Sequence, residues 1–423
     1  MAATALPRPL LPESGGLFPT AGPAPAASAA PPVSWAPLAV AALLGAALVG
    51  WVWNQHSAQR GVFALLGIGL GAALFHSRFG FTSAWRQLVA VGNGSGLRAH
   101  AVLLGGTATL FALLIGTGTD LFGTTPAPSA GTLGVGLVAG VALFGAGMQL
   151  GGACASGTLY VIGSGQTSIM LTLGGFITGS VLYAWAFPLV DDLPARPAFV
   201  LADHVGWAGS WVVTIALLGA IAVLSSVVQR RRVPPPTAAP DSARGMARVL
   251  CGSWPMWVGA LVLAALGAGA LLTSGGAWGI TSAFTLWGSE LLQLVGLHPE
   301  TWQYWSGSRA GQLAGPVLAD TTSLTDLGIV LGAALAAAAG GAWTVHRRIA
   351  LNTAVAAVLG GVLMGVGARL AGGCNIGAYL AGIASGSASG RVWGIAALAG
   401  TWLGLRGRRL FGLSVPAPRD SAC

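Results

Sequence analysis

Apolar runs of membrane-spanning length recur along nearly the whole chain, separated by short polar or arginine-bearing segments. They fall at roughly 34–53, 62–76, 98–118, 132–150, 168–188, 207–228, 255–273, 324–344, 351–370 and 390–406. Each is close to the ~20 residues that cross a hydrocarbon core as a helix. The pattern predicts about ten helical spans, with 62–76 short enough to be tilted or broken. Residues 1–34 break the pattern: they are rich in Pro, Ala and Ser, hold no sustained apolar run, and read as a disordered cytoplasmic tail.

Composition sharpens this into an all-α polytopic membrane protein. The hydrophobic set supplies 54% of the 423 residues, glycine adds 67 more, and only 7% are charged, too few to clothe a soluble protein of this size. The net charge of +9 comes from arginine in short clusters between apolar runs, which reads as topology and not as a nucleic-acid surface. With the N-terminus inside, the inner loops carry Arg78, Arg86 and Arg98, then Arg230 to Arg232, Arg244 and Arg248, then Arg347 and Arg348, then Arg406, Arg408 and Arg409. Most acids, among them Asp120, Asp191, Asp192, Asp203, Glu300 and Asp320, fall outside, along with Arg60, Arg196 and Arg309. This asymmetry holds only if the glycine-rich segments after 76, 150, 273 and 370 are re-entrant loops or short half-helices. Both termini are then cytoplasmic.

Two motifs each occur twice. Gly80-Phe-Thr-Ser-Ala-Trp is echoed by Gly279-Ile-Thr-Ser-Ala-Phe, aligning Thr82 with Thr281 and Ser83 with Ser282. Gly147-Met-Gln-Leu-Gly-Gly-Ala-Cys154 is echoed by Gly367-Ala-Arg-Leu-Ala-Gly-Gly-Cys374, aligning Gly152 with Gly372, Cys154 with Cys374, and Gln149 with Arg369. Five spans separate the two units, and an odd number inverts the second copy in the membrane, the arrangement of many transporters with a site near the midplane. The expected organisation is a tail at 1–34, a first repeat half with extra spans at 35–228, a basic cytoplasmic linker at 229–254, a second half at 255–410, and a tail at 411–423.

The candidate chemistry follows from the repeat. A lone buried cysteine is usually a small core residue, but two at equivalent positions of divergent copies, each in a helix break, point to a working pair. A thiol is soft and donates a weak S–H bond without carrying charge, which suits a sulfur-bearing substrate. Gly152, Gly372 and Gly373 let the backbone turn sharply and approach a ligand, and helix N-termini after the cysteines favour an anion. Thr82, Ser83, Thr281, Ser282, Ser156 and Asn375 add neutral hydrogen-bonding groups. Arg369 is a further pathway candidate because an intramembrane arginine is costly, although it could snorkel to water. Arg86 and Glu290 read as interfacial, Trp302, Tyr304 and Trp305 as an aromatic anchor, and Arg309 as a gatherer of anions. Cys251 and Cys423 read as incidental. No metal site, disulfide framework, cofactor or ATP-binding motif is indicated.

Arg78-Phe-Gly-Phe-Thr-Ser-Ala-Trp-Arg86, Gly151-Gly-Ala-Cys154-Ala-Ser-Gly-Thr-Leu-Tyr160, Gly279-Ile-Thr-Ser282 and Ala371-Gly-Gly-Cys374-Asn-Ile-Gly377 resemble the signature segments of the YeeE/YedE family of bacterial inner-membrane sulfur-compound transporters. The resemblance covers roughly residues 60–406 and implies thiosulfate uptake through an hourglass-shaped inverted repeat. It further implies passage along cysteines by S–H hydrogen bonding, with Cys374 on the outer side and Cys154 on the inner. Some relatives are linked to a small cytosolic sulfur carrier of the TusA type, others to selenium metabolism. One departure stands out: the family commonly has a cysteine two residues before the first threonine, where this chain has Gly80. Two rival functions follow from the same residues: a membrane-embedded sulfurtransferase using a persulfide on Cys154, and a scaffold that docks a sulfur carrier on the arginine-rich loop 229–248.

Overall fold

The computed structural model describes residues 33–232, 234, 249, 254–345 and 349–416. The tail expected at 1–34 therefore lies outside the described residues save its last two. So do most of the linker 229–254, the end of the C-terminal tail, Arg347, Arg348, Cys251 and Cys423.

Helices dominate. In chain order they are α1 (Trp35–Gln55), α2 (Ala58–Ser77), α3 (Phe81–Val91), α4 (Ser95–Thr117), α5 (Val135–Gly151), α6 (Ala155–Gly163) and α7 (Met170–Trp185). Then come α8 (Ala202–Arg232), α9 (Met256–Ser274), α10 (Thr281–Leu294), α11 (Thr321–Ala339) and α12 (Leu351–Leu370). The last two are α13, a π-helical turn Asn375–Leu380 running into Ala381–Ala384, and α14 (Ala388–Leu410). Among the described residues, nine helical stretches are long and apolar enough to cross a membrane. α14, at the tenth expected run, is 23 residues long but too little apolar to count among the nine. The only ladder among the described residues is a two-residue antiparallel pairing of Leu133–Gly134 with Ala195–Arg196.

Every element of α1–α7 has a counterpart seven helices later, and the packing repeats accordingly. α2 packs on α11 as α9 packs on α4; α7 packs on α12 as α14 packs on α5; α6 meets α11 as α13 meets α4. α5 and α12 cross one another at the centre. The peripheral helices obey the same rule, since α1 rests on α11 and α8 on α4. Small residues make the crossings possible, because in lipid, association depends on close van der Waals approach. Gly67 and Gly71 on α2 face Gly328 and Gly332 on α11, and Gly175 and Gly179 on α7 face Gly361 and Gly365 on α12, backbone against backbone.

All four glycine-rich breaks end a helix and are followed by a short one. α2 stops at Arg78, a non-glycine residue at φ 47°, and α9 stops at Gly275 at φ 74°. α5 stops at Gly152 at φ 86°, and α12 gives way to Gly372 at φ 73° and Gly373 at φ 150°. A left-handed residue closes the preceding helix and re-aims the chain. The interior between these breaks is a single apolar core that includes both Cys154 and Cys374. A ladder of ring contacts runs through it, from Trp85 of α3 through Tyr379 and Trp393 to Phe144, Phe176 and Phe284 of α10. The two Thr-Ser-Ala motifs are thereby fixed to opposite ends of one rigid centre.

Candidate functional site

Cys154 occupies the cap position before α6 and Cys374 the same position before α13, each with extended backbone and each only 1% exposed. Neither side chain caps its helix, so the first-turn N–H groups are left facing the turn. Both thiols are free. The Cys154 Sγ lies 3.5 Å from the Ser156 Oγ, and its carbonyl accepts from the Thr158 N and Oγ1 at 2.8 and 2.9 Å. The Cys374 carbonyl accepts from Ala378 N at 3.0 Å.

Gly373 is the tightest point of its turn. A Cβ there would stand 3.0 Å from the Ala378 nitrogen on a backbone that L-residues rarely adopt. Gly373→Ala is expected to cost about 1–3 kcal/mol and to lower the melting temperature of the purified protein by several degrees. An unchanged melting curve would show that the turn tolerates a side chain.

Each Thr-Ser-Ala motif is tied to the residue five positions before the cysteine of its own half. In the first half Gln149 Nε2 donates to the Thr82 carbonyl at 3.3 Å, and Arg86 Nε donates to Gln149 Oε1 at 3.0 Å. Arg408 Nη1 donates to the Gln149 carbonyl at 2.6 Å. In the second half the equivalent of Gln149 is Arg369, which donates to Thr281 Oγ1 and reaches the Tyr304 hydroxyl at 3.5 Å. Arg309 lies over the Tyr304 ring, 4.6 Å from its centroid. Burial pushes the Tyr304 phenol up, but Arg369 and Arg309 overcome this and hold it below its ordinary value.

Around this frame several buried polar atoms have no partner among the described residues: Thr82 Oγ1, both side-chain amide atoms of Asn375, and Arg369 Nε. Buried polar groups without a partner are rare in folded proteins and call for an explanation, here a ligand or water. The Cys374 turn also opens onto a cavity of about 80 Å³ lined by Ser129, Gly372, Gly377, Ser389 and Trp393. Gly377 abuts the backbone of Gly279, so the second copies of the two motifs touch.

The expected residues therefore separate into two groups. Cys154, Ser156, Gly152 and Thr82 gather in the first half; Cys374, Asn375, Gly372, Gly373, Thr281 and Arg369 gather in the second. Ser83 is exposed and bonds back to the Gly80 carbonyl, and Ser282 donates to Thr322 Oγ1 at the start of α11, so neither hydroxyl is committed to a thiol. Tyr304 and Trp305 are buried rather than displayed as an anchor, with Trp305 Nε1 donating to Ser289 Oγ at 3.0 Å. Sequence reading missed Gln149 and Arg408 as site residues. Gln149 was detectable as the partner of Arg369 in the repeat; Arg408 carried no signal, being one of several arginines at a helix end.

Fold and site together define a polytopic α-helical membrane protein whose spans break at two matched thiol-bearing turns. The chain belongs to the sulphur transport family, whose sequence profile matches residues 76–403. It is 34% identical over 163 residues to the probable transporter YedE of Escherichia coli, a match covering 36% of this chain and 39% of that protein. The Salmonella typhimurium YedE gives 35% over 133 residues, or 30% and 31% of the two chains. The matches thus span well under half the length of either YedE protein. The thiosulfate transporter TsuA of Spirochaeta thermophila is 27% identical over 354 residues, covering 80% of this chain and 96% of TsuA.

Proposed function

We propose that this chain carries a small sulfur-containing anion, thiosulfate foremost, across the bacterial inner membrane along a path between the Cys374 and Cys154 turns. The observation that carries the reading is the matched pair of free, buried thiols, each at the cap position of a short helix, with Asn375 next to Cys374 and Thr82 of the first motif holding polar atoms that lack partners among the described residues. An alignment covering nearly all of a thiosulfate transporter supports the choice of substrate. The arginine distribution puts both termini in the cytoplasm, Cys374 with its cavity on the outer side and Cys154 on the inner. The halves are taken as 35–228 and 255–410; α8 lies within the first of these bounds although it packs as the counterpart of α1.

The path binds without trapping. Thiosulfate offers a soft terminal sulfur for the S–H donors and oxygens for the first-turn N–H groups and hydroxyls. The arginines stand at the two ends, Arg369 with Arg309 at one and Arg86 with Arg408 at the other, each already held by protein partners. The chemistry is hydrogen bonding throughout: the polar neighbour of Cys154 is a serine hydroxyl, which can donate to the sulfur or accept from it but is a poor base. The surface expected to dock a sulfur carrier, 229–248, falls mostly outside the described residues.

Arg369→Gln, which installs the residue of the other half, is expected to raise the half-saturating thiosulfate concentration by about tenfold or more, because a hydrogen bond to a charged group contributes about 1.5–3 kcal/mol. Uptake kinetics in vesicles check this. An unchanged half-saturation would remove Arg369 from the path. The function itself is tested by growth of an uptake-deficient host on thiosulfate as sole sulfur source. A well-expressed wild-type chain that fails to restore growth contradicts the substrate. A persulfide found on Cys154 by mass spectrometry after exposure to thiosulfate would favour the sulfurtransferase instead.

A further inference from the structure

Two ionisable side chains lie inside the protein and take no part in the path described above. His100 is the sixth residue of α4 and Asp326 the sixth residue of α11, its counterpart in the second half. Both are 0% exposed. Neither carboxylate oxygen of Asp326 has a hydrogen-bond partner among the described residues. Neither ring nitrogen of His100 makes a well-formed hydrogen bond, the backbone of Gly80 being the polar group within reach. The imidazole is instead packed among aromatic rings, 4.5 Å from Phe81, 5.3 Å from Phe79 and 6.5 Å from Trp85, all in or beside the first Thr-Ser-Ala motif.

Among the described residues no oppositely charged group is bonded to either side chain. Around Asp326, Asp320 at the cap of the same helix and the Cys374 thiol are within electrostatic reach. The helices packed on α11 add Arg60 and His76 near the two ends of α2, Tyr160 on α6 and Glu290 on α10, none hydrogen-bonded to Asp326. Around His100, the helices packed on α4 add Arg86 of α3, bonded to Gln149, and Tyr379 of α13, in ring contact with Phe81 and Trp85. α8 carries Asp203 and His204 near its start and Arg230, Arg231 and Arg232 at its exposed end, where Gln229 accepts from Arg98 of α4; α9 carries no ionisable side chain.

We propose that anion transport by this chain is coupled to protons, with Asp326 and His100 as the proton-carrying groups, one in each half. This rests on the reading of the chain as an anion transporter. An unpaired ionisable group in a membrane interior is costly, and such residues commonly serve ion or proton pathways. The electrostatics give the coupling its sign. An ionised Asp326 repels an anion at the neighbouring Cys374 turn, and a proton on Asp326 removes that repulsion. A proton on His100 likewise attracts an anion in the other half. Proton and anion are therefore loaded together, and by linkage each favours the binding of the other. The direction also suits the task, since a dianion entering an interior-negative cell moves against the membrane potential and a proton travelling with it offsets that charge.

The test uses the full chain in vesicles with a trapped pH dye, the membrane voltage clamped by potassium and valinomycin, and radiolabelled thiosulfate as the probe. Adding thiosulfate outside is expected to acidify the lumen. One pH unit of external acidity is expected to raise the accumulation ratio about tenfold per proton carried. Entry of label with constant lumen pH and no response to the gradient overturns the coupling. No entry of label overturns the transport reading, and the coupling with it. Asp326→Asn is expected to keep label exchange at equal pH while losing the gradient response, and Asp326→Glu to retain the response. A full response in both Asp326→Asn and His100→Gln overturns the assignment. The wild-type lumen measurement decides the coupling whether or not the variants fold.

Discussion

Cys374→Ala is expected to reduce thiosulfate uptake by about two- to tenfold without lowering expression or the melting temperature appreciably. The thiol is buried at the cap of α13, beside an asparagine whose amide atoms have no partner and within a turn that opens onto a cavity. Alanine removes the soft donor and leaves the backbone unchanged. One net hydrogen bond is worth about 0.5–1.5 kcal/mol, and 1.4 kcal/mol corresponds to a factor of ten. Cys154→Ala is expected to give a loss of similar size, because the same geometry recurs before α6. Cys374→Ser should fall between wild type and alanine, since a hydroxyl donates but is harder and less polarisable. Transport by both alanine variants at the wild-type rate would show that the cysteines are core residues. Gly80→Cys, which supplies the thiol common in the resembling family, should leave transport intact or raise it.

Gly360→Val is expected to abolish a monodisperse protein in detergent. A Cβ at Gly360 would run into the backbone nitrogen of Gly151, where α12 crosses α5 one residue before the Gly152 turn. Backbone cannot swing aside as the end of a side chain can, so the crossing helices must separate. Overpacking of a core costs typically about 1–3 kcal/mol, and more where neighbours are fixed. The same end of α5 is held by α14, where Arg408 donates to the Gln149 carbonyl, and by α7, where the Thr172 hydroxyl donates to the Gly151 carbonyl at 3.0 Å, so any displacement of α5 spreads to the Cys154 turn. Size-exclusion chromatography of a fluorescent fusion reads the outcome. A sharp wild-type peak from Gly360→Val would mean that the halves do not meet as closely as described.

Much of this architecture was legible in the sequence because lipid imposes a simple rule: a span must be apolar and about 20 residues long. The spans, the four breaks and the twin cysteine turns follow from that rule and from glycine. The 62–76 run proved to be the core of a full 20-residue helix, Ala58–Ser77, whose ends carry Gln59, Arg60 and His76 and so escape an apolar count. What stayed hidden depends on contacts between distant positions. That Arg369 bonds Thr281, 88 residues away, and that Tyr304 lies between two arginines cannot be read from spacing. α1 and α8 share no motif although they pack alike, because helices largely exposed at the periphery are constrained by apolarity alone. In the sequence His100 and Asp326 are single polar residues near the starts of apolar runs and share no motif. Only the equivalence of α4 and α11 makes them a pair.

The central claim is that a sulfur-containing anion crosses this protein between the Cys374 and Cys154 turns. Uptake of radiolabelled thiosulfate by the purified chain in vesicles, measured against labelled sulfate and against Cys154→Ala and Cys374→Ala, tests it most directly. The account predicts that wild type takes up thiosulfate well ahead of sulfate and that each alanine variant loses about two- to tenfold. Folded wild-type protein that moves no thiosulfate, or alanine variants that move it as fast as wild type, would contradict it.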